Sequence, residues 1–246
     1  MEIHRAASVE QVNEAFIQYF LPLAKQAIAT KGKFNWVLTG GNSPRAVYQQ
    51  LATDYAHEIE WDKVYFFFGD ERYVSPTNVN YNGKMAQDCL FTPLSIGPNQ
   101  IFNIPTQNNP EEDALLYQQQ IDAHFGIQNE VERAYIQFDL IMLGMGEDAH
   151  TASLFPYTNA ISASKPEIIA VWVEKLNTHR ITFSAPLINQ AHQVAFFCFG
   201  KNKSHALAQV WDNTIDDVEL YPSKLIQPKP GELHWFVDNE ALKLIK

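Results

Sequence analysis

Basic residues are scarce in this chain, and so is cysteine. Eighteen Lys and Arg stand against 28 Asp and Glu, a net charge of −10 with the histidines neutral. That balance argues against nucleic acid or an anionic membrane as a partner, and nothing in the sequence calls for an obligate protein partner. Two cysteines, Cys89 and Cys198, cannot build a disulfide framework in 246 residues, which favours a reducing compartment. Cys198, inside the run "VAFFCFG", reads as a buried free thiol. No apolar run approaches the length of a bilayer. The opening stretch "MEIHRAASVEQV" lacks the hydrophobic core of a signal peptide. The expected location is cytoplasmic. The chain also lacks a Walker loop, a G-x-G-x-x-G fingerprint, a glycine-flanked nucleophile serine and an H-E-x-x-H pair. Neither a cofactor nor a metal is therefore expected.

What is present is a compact-protein composition, 46% hydrophobic and 13% aromatic, with no internal repeat or linker. One domain over residues 1–246 is expected. The runs "FNWVL", "KVYFFF", "DLIML", "IIAVWV", "VAFFCF" and "LHWFV" read as strands, several apolar on both faces as in a buried parallel sheet. Helical patterns lie between them. Ser8 and Gln11 suggest a capping box, with Pro22 expected to kink or break the helix that follows. Asn109 and Pro110 open another helix that Gly126 can close. The alternation predicts a single doubly wound α/β fold, a mostly parallel sheet with helices on both faces.

In such folds ligands bind beyond the carboxyl ends of the strands. Three strand ends run into unusual polar sequences there. "TGGNSPR" offers Gly40 and Gly41 for a close backbone approach, then Asn42, Ser43 and a helix start with Pro44, where exposed amides can hold an anion or simply begin a capped helix. "GDERYV" places Asp70, Glu71 and Arg72 after a buried strand, either as site residues or as a solvated turn. "GMGEDAHTASLFP" carries Asp148 and His150 at a glycine-rich strand exit, and His150 two residues from a carboxylate is a general-base candidate. "HTASLF" looks like a helical turn. A Ser153–His150–Asp148 triad is disfavoured, because residues so close in sequence seldom converge with triad geometry. Arg180, Lys201 and Lys203 supply basic groups that an anionic ligand would need in so acidic a chain.

The ordered set "LTGGNSP", "FFGDERYV…N…NY", "FDLIMLGMGEDAHTASLFP", "RITFSAPLINQA", "FGKNKSHAL" and "PGELHWFVD" resembles the 6-phosphogluconolactonase family, over about residues 34 to 238. That family is similar in fold to the glucosamine-6-phosphate deaminases. The deaminases carry a glutamate before the proline where this chain has Phe155 before Pro156, the lactonase form. The resemblance implies hydrolysis of 6-phospho-D-glucono-1,5-lactone in the pentose phosphate pathway, with a sugar phosphate lactone as small-molecule partner. It implies His150 as base, Asp148 orienting it, Arg72 facing the sugar or the oxyanion, and Asp70 shaping its loop. It further implies Gly40, Gly41, Asn42 and Ser43 facing the phosphate, with Arg180 and Lys203 supplying charge. A deaminase/isomerase-like enzyme and a non-catalytic sugar-phosphate-binding protein are the alternatives. The second arises because Ala149 stands where the family pattern has glycine. A negative φ is expected at Ala149, since the rest of the loop is retained.

Overall fold

A computed structural model describes residues 1–229 and 231–245. Nine strands form. They are β1 (Glu2–Ala6), β2 (Phe34–Leu38), β3 (Val64–Phe68), β4 (Asp70–Arg72), β5 (Leu140–Gly144), β6 (Ile168–Val173), β7 (Thr178–Phe183), β8 (Gln193–Cys198) and β9 (Glu232–Asp238). Six α-helices accompany them among the described residues: α1 (Val9–Lys31), α2 (Arg45–Thr53), α3 (Asn82–Ala86), α4 (Pro110–Phe125), α5 (Ala185–Ile188) and α6 (Ser204–Trp211).

Six strands make a parallel sheet in the order β1-β9-β8-β5-β2-β3. Alternate side chains serve opposite faces of it. Phe236 and Phe197 meet Phe16 of α1, and Trp36 meets Phe20 of α1 and Tyr48 of α2. On the other face Phe67 meets Phe125 of α4, and Trp235 meets Trp211 of α6. Two-sided burial explains why β2 reads as a largely apolar run, and all five of its residues are buried, Asn35 among them. The doubly wound arrangement stands as the sequence predicts. Both cysteines are buried free thiols.

Four expectations need correction. The large sheet is not alone, because β4, β7 and β6 form a second, antiparallel sheet. "IIAVWV" belongs to that small sheet and not to the parallel one. Its Trp172 side is exposed, and apolar content by itself cannot distinguish the two settings. Pro22 does not interrupt α1, which continues through it. Pro22 and Gln18, whose carbonyl loses its helical donor, both face solvent, so water can satisfy that group while buried Leu21 and Ala24 hold the helix to the sheet. The stretch after His150 is a tight turn closed by a Thr151–Leu154 bridge, not a helical turn. Ala152 sits at φ 46° within it.

The other helix ends behave as their caps require. The Ser8 hydroxyl accepts from Gln11 N, while the Gln11 side chain accepts from Ala7 N. The Asn109 side chain accepts from Glu112 N, and Gly126 closes α4 at φ 72°.

Candidate active site

From β2 the chain moves outward to β3, then returns across β2 to β5 and on to β8 and β9. The direction of winding therefore reverses between β2 and β5, and their carboxyl ends open a crevice there. A cavity of about 210 Å³ occupies it. Gly40 and Ser43 come from the loop after β2, Asp70 and Arg72 from β4, His150 from the loop after β5, Arg180 from β7 and Lys203 from the turn before α6. The three polar strand exits converge, as expected.

Each wall is fixed by a local device. The Tyr48 hydroxyl donates to Thr39 O (2.9 Å) and accepts from Thr39 N (3.1 Å), pinning the exit of β2. The Tyr117 hydroxyl does the same to Phe68 at the exit of β3. Gly40 has to be glycine, because a Cβ there would lie 1.9 Å from Asn82 Oδ1. The start of α2 has Pro44 in the cap position and no side-chain cap. Its first amides are thus left unclaimed by Ser43, contrary to the simple capped-helix reading. Gly41, at φ 88°, and the exposed Asn42 shape this turn without lining the cavity.

Strand pairing sets the cationic wall. Asp70 and Arg72 share one face of β4, and Arg72 pairs across the ladder with Arg180, so two guanidinium groups lie side by side. Arg72 Nη1 donates to Asn80 O (2.7 Å). Arg180 Nε is buried without a partner among the described residues. Lys203 makes no ion pair among them either, while Lys201 is exposed and outside the cavity. A cluster of unneutralised cations in an acidic protein is built to meet an anion. Glu71, on the opposite face of β4, is fully buried and accepts from Arg72 N, Asn82 N and Gly83 N. Burial pushes its carboxyl up to about 8, against the pull of those donors. It fastens β4 to the start of α3 and does not face the cavity.

The histidine loop is strained. Ala149 sits at φ 60°, which overturns the expectation of a negative φ. Its carbonyl is clamped by Ser223 N (2.9 Å) and Ser223 Oγ (2.7 Å), and this holds alanine in a region that costs it about 1–2 kcal/mol. Gly146 leaves room for the imidazole, since a Cβ there would lie 2.1 Å from His150 Nδ1. His150 Nδ1 contacts Asp148 Oδ1. A carboxylate can only accept, so Nδ1 carries the proton and Nε2 is left as the basic nitrogen. Burial holds His150 down at about 4, helped by Lys203 and Arg180 and opposed by Asp70. The imidazole is therefore neutral at neutral pH. Asp148 stands behind His150, outside the cavity wall, and its second oxygen pairs with Lys175. Ser153 donates to Asp70 Oδ2 (2.7 Å) and not to His150.

Comparisons with known proteins identify the family. The sequence pattern of the family described as Glucosamine-6-phosphate isomerases/6-phosphogluconolactonase matches residues 7–235. The chain belongs to that family. A 6-phosphogluconolactonase of Nostoc sp. is 41% identical over 87% of this chain and 86% of the relative. One from Synechocystis sp. is 38% identical over 88% and 86%. The crystal structure of 6-phosphogluconolactonase from Thermotoga maritima superposes with a TM-score of 0.79 at 26% identity, over 97% of this chain and 99% of that one.

Phe155 is buried and stacks on His150, with ring centroids 4.0 Å apart. Lys175 Nζ lies 4.8 Å from the centroid of the Phe155 ring. An aromatic ring thus stands against His150 at the position before Pro156. Sequence reasoning missed Lys175 and gave no role to Asn82. The Asn82 side chain lines the cavity, donates to Asp70 O (2.9 Å), and has an Oδ1 without a partner among the described residues. The need for glycine at position 40 is the trace Asn82 leaves in the sequence. Lys175 leaves none.

Proposed function

We propose that this protein hydrolyses 6-phospho-D-glucono-1,5-lactone to 6-phosphogluconate in the pentose phosphate pathway, with His150 as general base. The observation that carries the reading is a neutral imidazole, bonded through Nδ1 to Asp148, on the wall of a cavity that also presents Arg72, Arg180 and Lys203. Nε2 takes a proton from water as the water oxygen bonds to the lactone carbonyl carbon. The carbonyl electron pair moves onto oxygen, where Arg72 is the donor assigned to the developing charge. On collapse the ring C–O bond breaks, and the departing oxygen takes up the proton as a hydroxyl. Arg180, Lys203 and the amides from Gly40 to Ser43 hold the phosphate at the other end of the substrate. Gly41 and Asn42 contribute backbone only.

A positioned base supplies about 10²–10⁴ in rate and a preorganised oxyanion donor about 10²–10³. A strained, activated ester needs no more. Among the described residues no helix is long and apolar enough to cross a membrane, which fits a cytoplasmic enzyme of this class. The test is a coupled assay on freshly generated lactone, corrected for spontaneous hydrolysis. Turnover indistinguishable from the uncatalysed rate, together with tight phosphogluconate binding, sinks the reading. Ammonia release from glucosamine 6-phosphate replaces it with a deaminase.

A further inference from the structure

A second histidine cluster lies at the opposite, amino end of the parallel sheet, where edge strand β1 pairs with β9. Register places Glu2 beside His234 and His4 beside Phe236. His4 stacks on Phe236, with centroids 4.2 Å apart and planes within 3°, which turns His4 Nε2 to within 3.1 Å of His234 Nδ1. The Glu2 carboxylate lies 3.8 Å from the first nitrogen and 3.5 Å from the second. Ligand atoms on a tetrahedral Zn²⁺, at bonds of about 2.0–2.1 Å, stand about 3.3–3.5 Å apart. Glu2 is largely exposed and can swing freely.

The surroundings fix which nitrogen of His234 is free. Glu232 accepts from Gln193 Nε2 (3.1 Å), so Gln193 Oε1 points the other way. That oxygen accepts from the Tyr19 hydroxyl (2.9 Å) and from His234 Nε2 (2.8 Å). His234 therefore carries its proton on Nε2 and presents the Nδ1 lone pair to His4 and Glu2. A ligating histidine typically has its other N–H held by an oxygen in this way. With Glu2 largely exposed, water can fill the fourth position from the solvent side.

We propose that Glu2, His4 and His234 form a zinc site that ties edge strand β1 to β9, remote from the lactone cavity and independent of the proposed reaction. The bland alternative is a plain hydrogen bond from His4 Nε2–H to His234 Nδ1, with no affinity for metal. Equilibrium dialysis of the full-length protein against Zn²⁺, with Co²⁺ as the spectroscopic probe, separates the two. One equivalent of Zn²⁺ should bind and raise Tm, and Co²⁺ should give the intense visible bands of tetrahedral coordination.

His4→Phe keeps the stack on Phe236 but removes the ligand, and should weaken Zn²⁺ binding by about 100-fold or more. Glu2→Gln should weaken it by about tenfold or more. Lactone turnover should stay within about twofold in both variants, because the sites share no partners. Binding that survives both substitutions, binding lost in His150→Ala instead, octahedral Co²⁺, or no binding at all would each overturn the site.

Discussion

His150 and His234 sit at opposite ends of one parallel sheet, and each meets a carboxylate, but the chain brings the partners together by different means. Asp148 is two residues from His150, and the contact needs a tight loop. Gly146 gives up its side chain for the imidazole, and Ala149 is held at φ 60° by the Ser223 clamp. His234 lies inside a regular strand, and its neighbours arrive by register from β1 and β8 with no unusual backbone. The first site is strained, faces three cations and borders the crevice where the winding reverses. The second is relaxed and rests on a hydrogen-bond chain through Gln193. Backbone strain of about 1–3 kcal/mol persists only where the surroundings over-determine it, and it concentrates at functional loops. The loop at His150 fits that pattern, while the strand site resembles a scaffold device.

The sharpest way to break the comparison is to remove each histidine and ask what is lost. His150→Ala should lower kcat by about 10²–10⁴ on the phosphorylated lactone, leaving the fold and Zn²⁺ binding unchanged. Initial rates and a far-UV spectrum decide it. A variant within about threefold of the parent removes His150 from the role of base. Lys203 comes next. It has no ion-pair partner among the described residues, and a charge-assisted hydrogen bond is worth about 1.5–3 kcal/mol. Lys203→Ala should therefore lower kcat/KM by about 10–100-fold, and far less for a lactone without phosphate. Equal losses on the two substrates would mean that Lys203 does not read the phosphate.

The same contrast explains what the sequence could disclose. The crevice was legible because its parts are local: glycines beside the residues they accommodate, a histidine beside its carboxylate, polar loops directly after buried strands. Ala149 was misread because its φ is held by Ser223, 74 residues away in the chain; the local sign of a positive φ was the glycine of the family pattern. Lys175 reaches Asp148 and Phe155 from the turn between β6 and β7, and "IIAVWV" gave no sign that it would leave the main sheet. The pair His4–His234 was invisible for the strongest reason. Its members are 230 residues apart, so ligand spacing of the H-E-x-x-H kind cannot reveal it.

A pH profile sharpens the account of the strained site. A base must be neutral to act, so the rate is present above its pKa and lost as pH falls through it. With His150 held down at about 4, kcat/KM should keep most of its plateau value at about pH 5, whereas an ordinary imidazole near 6.5 would have lost about thirtyfold there. The measurement belongs on a lactone lacking phosphate, whose own titration does not intrude. An acid limb near 6.5 would show that the histidine is solvated when it works.

The smallest effect is expected at Ala149, where three terms nearly cancel. Glycine relieves about 1–2 kcal/mol of left-handed strain. It also restores about 0.4–1 kcal/mol of freedom to the unfolded chain. Finally it removes a methyl group that is fully buried, worth about 0.8 kcal/mol. The net change is within about 1 kcal/mol of zero, so Ala149→Gly should move Tm by no more than about 2–4 °C in a chain of this size. The Ser223 clamp holds the carbonyl through backbone atoms that glycine also possesses, so the imidazole keeps its place and kcat/KM should change by less than about tenfold, or 1.4 kcal/mol. A larger fall in Tm would mean that the methyl packs more tightly than its burial implies. A rise in turnover by orders of magnitude would mean that alanine disables the loop, and that the protein with Ala149 holds sugar phosphates without hydrolysing them.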